Sequence, residues 1–296
     1  MKLLLREVEL DLRPEQPLIM GILNIGTDSV ADSNLLTNVE DQVARGLALA
    51  RDGAQIIDIG VLSGRTDTEP IPVAEEAARL EPVVQALTRA GVTVSVDSWR
   101  TEAIQAAVAA GAQFVNDTSG LIDPAVADIC AASGAALLVM HTRAAPKQVN
   151  FPTYTDAVAD VTALLKERVG LALSRGVTPD QIVIDPGLDY AKAPSESIEV
   201  LRRLDELAVF ERPVLLAVSR KYFIGMIADA LPEQRLAGTI AALEFGLRRG
   251  AHILRVHDVA HVAQYLRMRA ALHGDSQPAM LGDRNDERLK WIAPKA

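Results

Sequence analysis

At 296 residues with a formal charge of −9, the chain has room for one large domain and lacks the cationic balance of a general nucleic-acid binder. Its single cysteine, Cys130, excludes an intramolecular disulfide framework and a cysteine-rich metal site, and its apolar neighbours suit a packed small side chain. No apolar run approaches the roughly 20 residues of a membrane span, and the run at Leu3–Leu5 is too short for a signal peptide, so a cytoplasmic protein without membrane partners is expected.

Residues 2–16 alternate apolar and polar positions, which predicts an N-terminal strand pair closing the lower end of whatever follows. Eight short β-branched runs come next, at 17–25, 55–61, 93–97, 113–117, 135–141, 181–186, 213–219 and 251–257. Helically spaced segments lie between them, among them 73–90, 101–110, 155–175 and 233–249. Continuous apolar strands alternating with helices indicate a buried parallel sheet, and eight such units predict a (β/α)8 TIM barrel over 17–274. Gly53, Gly111 and Gly250 fall between a helix and a strand, where glycine supplies the left-handed stop. Residues 275–296 read as a polar tail in which Trp291 could dock on the body.

Each run ends in a polar or charged residue. Asn24, Asp58, Asp97, Asn116, His141, Asp185, Ser219–Lys221 and His257 fall at the predicted strand ends. In this fold the chemistry sits at the C-terminal strand ends, so these residues should converge on one pocket. Asp97, Asp185 and Asn116 would offer acceptors to a ligand edge rich in N–H groups, although a strand-end Asp can also simply cap a loop. Arg255 and His257, two apart on one strand, could present donors to an oxyanion. The alternative is an internal ion pair with Asp258 or a barrel carboxylate. Asn24 and Asp28 could give oxygens to Mg²⁺, or could be turn formers. His141 reads as a satisfied structural histidine, and His252 lies at the opposite end. No G-x-G-x-x-G or Walker pattern occurs.

Taken together, the segments Met20-Gly21-Ile22-Leu23-Asn24, Ile57-Asp58-Ile59-Gly60, Val96-Asp97-Ser98, Asn116-Asp117, Met140-His141, Asp185-Pro186-Gly187, Ser219-Arg220-Lys221 and Arg255-Val256-His257 resemble dihydropteroate synthases over nearly the whole chain. The resemblance implies a barrel that condenses 6-hydroxymethyl-7,8-dihydropterin diphosphate with p-aminobenzoate, with Mg²⁺ as cofactor, in folate biosynthesis. It implies that Asp97, Asn116, Asp185 and Lys221 hold the pterin and that Met140 packs beside it. Asn24, Arg255 and His257 would hold the diphosphate and its metal. Asp185, Lys221 and Arg65 would serve the reaction. Sulfonamide and sulfone analogues of p-aminobenzoate, and a homodimer, are implied partners.

The chain departs from the family in its loops. The first family loop, Asn-Val-Thr-Pro-Asp-Ser-Phe, reads Asn24-Ile25-Gly26-Thr27-Asp28-Ser29-Val30. The second, Gly-Gly-Glu-Ser-Thr-Arg-Pro-Gly, reads Gly60-Val61-Leu62-Ser63-Gly64-Arg65-Thr66-Asp67. Gly-Phe-Gly-Lys becomes Asp189-Tyr190-Ala191-Lys192, and the usual Ser after Lys221 is Tyr222. Loops of this kind assemble a reacting site, so a divergent paralogue with weak or absent synthase activity is expected, the alternative being a working synthase.

Overall fold

A computed structural model of the chain describes residues 1–13, 15–26, 38–62 and 70–274. Arg65, Asp28, Val30, Trp291 and the 275–296 tail lie outside the described residues. The N-terminal segment forms an antiparallel pair, β1 (Lys2–Leu5) and β2 (Val8–Asp11). The parallel strands follow as β3 (Leu18–Asn24), β4 (Ile56–Gly60), β5 (Thr93–Asp97), β6 (Phe114–Asp117), β7 (Ala136–Met140), β8 (Ile182–Asp185), β9 (Leu215–Leu216) and β10 (Ile253–Val256). Their order around the sheet is β8-β7-β6-β5-β4-β3-β10-β9, and the Ile184–Val214 bridge joins β8 to the β9 segment, completing a (β/α)8 TIM barrel.

The outer helices are α1 (Val39–Asp52), α2 (Val73–Arg89), α3 (Thr101–Ala110), α4 (Ala125–Ser133), α5 (Ala157–Ser174), α6 (Pro194–Arg202), α7 (Tyr222–Ala228), α8 (Leu236–Leu247) and α9 (Val259–His273). Their starts and stops have local causes. Asn38 and Asp156 accept the free backbone N–H groups at the starts of α1 and α5. Gly53 ends α1 at φ 117°, where a Cβ would be strained.

Alternation along the strands sorts side chains into two cores. Outward residues such as Ile57, Ile59, Val94, Val96, Val115, Val139 and Ile184 pack under the helices, with Cys130 among them. Inward residues change character with height. The lower interior is apolar, built from Met20, Ile56, Phe114, Leu138, Val183 and Ile253, and Leu3, Leu5 and Leu12 of the N-terminal pair cover it from below. The upper inward positions are polar: register aligns Asn24 with Gly60, Gly60 with Asp97, and Asp97 with Asn116 across neighbouring strands. The barrel therefore carries a hydrophobic floor and a hydrophilic mouth on the same strands.

Two details differ from the sequence reading. Asp58 does not terminate its strand but sits in the middle of β4, fully buried, because Ser95, Asn116 and Arg255 all reach it. The seventh strand shrinks to Leu215–Leu216, and the chain turns at Arg220, whose φ is 57°.

Candidate active site

The upper interior is organised around Asp58. Its Oδ1 accepts from Ser95 Oγ at 2.5 Å, and its Oδ2 accepts from Asn116 Nδ2 at 2.9 Å and Arg255 Nε at 2.6 Å. Arg255 Nη2 donates to Asp97 Oδ2 at 2.5 Å, so one guanidinium spans two barrel carboxylates. Burial alone would cost a guanidinium several kcal/mol, and the bracketing carboxylates offset that cost. Although burial works against the Arg255 charge, Asp58 and Asp97 outweigh it and hold its pKa above the usual value. Burial pushes Asp97 up to about 7 despite Arg255, with Asp58 and Glu76 adding repulsion. Asp58 was not assigned a task in the sequence reading; its signal was an acid inside an Ile-Asp-Ile strand, where only a buried partner makes the charge tolerable.

Asn116 gives its N–H to Asp58 and leaves Oδ1 buried without a hydrogen bond among the described residues. Asp185, at the end of β8, is 4% exposed; burial raises its pKa, while the Gly187 N–H at 2.7 Å and Lys221 pull the other way. Met140 ends β7 beside it in register and is buried.

Lys221 follows the strained Arg220 turn. Its Nζ lies 4.3 Å from the centroid of the Tyr190 ring, with no hydrogen bond or ion pair to a described residue. Burial lowers its pKa, opposed by Asp189 and Asp185. Arg220 itself points elsewhere and grips Asp258 through Nε at 3.0 Å and Nη2 at 2.7 Å. His257 faces Ser219: the hydroxyl accepts from the His257 backbone N–H at 3.1 Å and pairs with Nδ1 at 3.0 Å. Burial, then Arg255 and Arg220, lowers the imidazole to about 3, so it is neutral at physiological pH. With the Ser219 proton given to Nδ1, Nε2–H is the remaining donor.

His141 is structural, as the sequence suggests. Its Nε2 meets Asp160 at 2.8 Å and its Nδ1 meets Lys192 Nζ at 2.7 Å, while Arg143 clamps Asp160 through two bonds of 2.9 Å. Lys192 also donates to the carbonyls of Gly187 at 2.8 Å and Tyr190 at 3.1 Å. These ties fix the loop after β8, and sequence reasoning missed them. His252 stays at the far end, where its Nδ1 accepts from the Val214 N–H.

The structure thus brings Asp97, Asn116, Asp185, Met140, Lys221, Arg255 and His257 to one end of the barrel. Arg255 stands apart in one respect: two of its nitrogens serve carboxylates rather than facing an oxyanion. Asn24, half-buried at the end of β3, contributes one neutral oxygen. Among the described residues no group of three or more His, Cys, Asp or Glu side chains could hold a metal by itself. That donor set fits Mg²⁺ only as an ion taking most of its ligands from water and phosphate oxygens.

A parallel barrel with three acceptors and a half-buried lysine at one end has the makings of a small-molecule site. The profile of the family described as pterin binding enzyme matches residues 20–257. Dihydropteroate synthase of Bacillus subtilis is 36% identical over 260 residues, covering 87% of this chain and 89% of its own. That of Escherichia coli K12 is 34% identical over 270 residues, covering 90% and 95%. Among solved structures, Xanthomonas albilineans dihydropteroate synthase with 4-aminobenzoic acid superposes with a TM-score of 0.83 at 36% identity, covering 92% of this chain and 99% of that one. The Yersinia pestis synthase in a sulfonamide drug complex gives 0.85 at 31% identity, covering 93% and 100%. The chain belongs to the dihydropteroate synthase family of pterin-binding enzymes. Among the described residues no helix is long and apolar enough to cross a membrane.

Proposed function

We propose that this chain binds a pterin diphosphate in the barrel mouth and carries out the synthase condensation weakly or not at all. The observation behind the pterin reading is the division of the pocket into an acceptor side and a donor side. Asp97, Asp185 and the free Asn116 Oδ1 accept, as the amino-pyrimidinone edge of a pterin requires, and Lys221 donates. Arg255, fixed in place by Asp58 and Asp97, offers its guanidinium face, and guanidinium planes stack on conjugated rings. Met140 gives an apolar contact at the end of β7.

In the condensation, the amine of p-aminobenzoate would form a C–N bond to the pterin methylene carbon as the bond to the diphosphate oxygen breaks, and the nitrogen would give up one proton to solvent or to the departing diphosphate. Asp185, as the carboxylate, would stabilise positive charge developing on the pterin. His257 Nε2–H would donate to the departing diphosphate, and Asn24 would give one oxygen to a Mg²⁺ that arrives with it. Bound there, the ion would neutralise the leaving charge. Cytoplasmic residence and a homodimer are proposed from the same kinship, and light scattering on the purified chain tests the latter.

The slow-turnover reading rests on the loops. Gly64 precedes Arg65 where the family has Thr, and Val30 replaces an aromatic, so the residue types that would order the second substrate differ from the family's. Misplacing a positioning group by about 1 Å can cost on the order of 100-fold. The competing reading, a working synthase, is supported by the identity of 36% over 260 residues to the Bacillus subtilis dihydropteroate synthase. Steady-state assay with 6-hydroxymethyl-7,8-dihydropterin diphosphate, p-aminobenzoate and Mg²⁺ separates them. Turnover matching the Escherichia coli relative refutes the slow-turnover reading. The pterin reading itself falls if calorimetry finds Asp185→Asn as tight a pterin binder as the wild type.

A further inference from the structure

The loop after β8 carries two residues that conflict with its backbone. Asp189 and Ala191 occupy left-handed conformations at φ 65° and 52°, which a side chain disfavours by roughly 1 kcal/mol each. Both stand where the family resemblance has glycine, and the residue between them is Tyr190 where the family has phenylalanine. Strain retained at a pocket points to a task for the residues that cause it.

Asp189 ties the loop to α7: its carboxylate accepts from the Phe223 N–H at 3.3 Å and from Ser197 Oγ at 3.4 Å. Lys192 holds the Tyr190 carbonyl from the other side. The Tyr190 ring is thereby fixed against Lys221 Nζ. Its hydroxyl has no hydrogen-bond partner among the described residues, yet it lies within electrostatic reach of Asp97, Arg255 and Asp185. The Tyr190 side chain is half-buried, so its hydroxyl is open to solvent and to a ligand entering the mouth.

We infer that Tyr190 is a specificity-determining residue of the pocket, its hydroxyl joining Lys221 to read the acceptor edge of a pterin, the ring carbonyl and neighbouring nitrogen. The inference rests on the pterin reading above. The pocket then has three acceptors on one side and two donors on the other, matching the opposed edges of the ring. A site built to hydrogen-bond an oxygen rejects an analogue that lacks it, because its donor is left buried and unpaired.

The test is calorimetry of wild type and Tyr190→Phe with 6-hydroxymethylpterin and with its 4-amino analogue, in which a donor replaces the carbonyl oxygen. Tyr190→Phe is expected to bind the pterin about fivefold more weakly and to lose a similar factor of preference for the oxo over the amino ring. The melting temperature of the unliganded protein should stay within about 2 °C, so that weaker pterin binding reports the lost hydroxyl and not a disturbed fold. Unchanged or tighter pterin binding by Tyr190→Phe overturns this inference alone. Failure of the wild type to bind either ring overturns the pterin reading together with it.

Discussion

Replacing Lys192 by methionine removes one ammonium and tests the network that fixes the loop after β8. Lys192 is 1% exposed and gives hydrogen bonds to His141 Nδ1, Gly187 O and Tyr190 O. Burial, the main cause, lowers its pKa to about 7, with Asp185 opposing and Lys221 reinforcing. In the unfolded chain the value returns to near 10.5. Below pH 7 both states hold the proton, and the folded state bears the full cost of the buried charge. Between pH 7 and 10.5 only the unfolded chain holds it, so this site makes stability rise with pH, by at most about 1.4 kcal/mol per pH unit. From pH 7 to 9 that amounts to about 2–3 kcal/mol. Methionine fills the volume but cannot titrate; at pH 9 it leaves two acceptors without the N–H groups of the neutral amine, at about 1–3 kcal/mol per group less what relaxation recovers, and at pH 6.5 the loss is further offset by no longer burying an ammonium. Lys192→Met should therefore lose about 2–5 kcal/mol at pH 9 and about 2–3 kcal/mol less than that at pH 6.5. Urea unfolding at the two pH values measures both quantities. Parallel pH dependences for the two proteins would refute the reasoning.

The neighbouring histidines set the acid limb. His141 is lowered to about 4 and His257 to about 3, chiefly by burial, so the unfolded chain binds protons below pH 6.5 that the folded chain refuses, and stability should fall as pH drops from 6.5 towards 4; a flat urea midpoint across that window would mean that these imidazoles are not held neutral. Gly187→Ala should cost more than about 3 kcal/mol, because at φ 65° a Cβ would collide with the His141 carbonyl oxygen, whereas Ala191→Gly should be neutral or gain up to about 1 kcal/mol; thermal unfolding of the pair that ranks them the other way would contradict the backbone assignment.

The barrel was legible because its evidence is local. An outward face of β-branched residues under helices, repeated at regular spacing, can be read from any one strand and its neighbours. The mouth was legible where polar residues end a run, as at Asn24, Asp97 and Asp185. Asp58 and Arg255 were harder. A charge after Ile56-Ile57 looks like a terminus when its partners are unknown, and Arg255 is separated from Asp58 by 197 positions. Only closure of the barrel puts them together, and only that pairing lets an acid remain mid-strand. The same holds for Lys192, which the sequence offers as an ordinary loop cation. Its partners on β7 and in its own loop convert it into an internal tether. Three-dimensional pairing of charges, rather than the fold, is where a single sequence is least informative.

The hairpin of β1 and β2 has a kinetic consequence. Among the described residues Leu3, Leu5 and Leu12 stopper the lower end, and an apolar layer lies directly above them. The interior is a blind well. A ligand bound as proposed would leave through the mouth by which it entered. A pterin seated as proposed against Met140 and Asp185 would be held for as long as anything larger rested above it. Residence times in such a well are governed by the shallowest occupant, and an inhibitor lodged near the rim can imprison a ligand that it never touches.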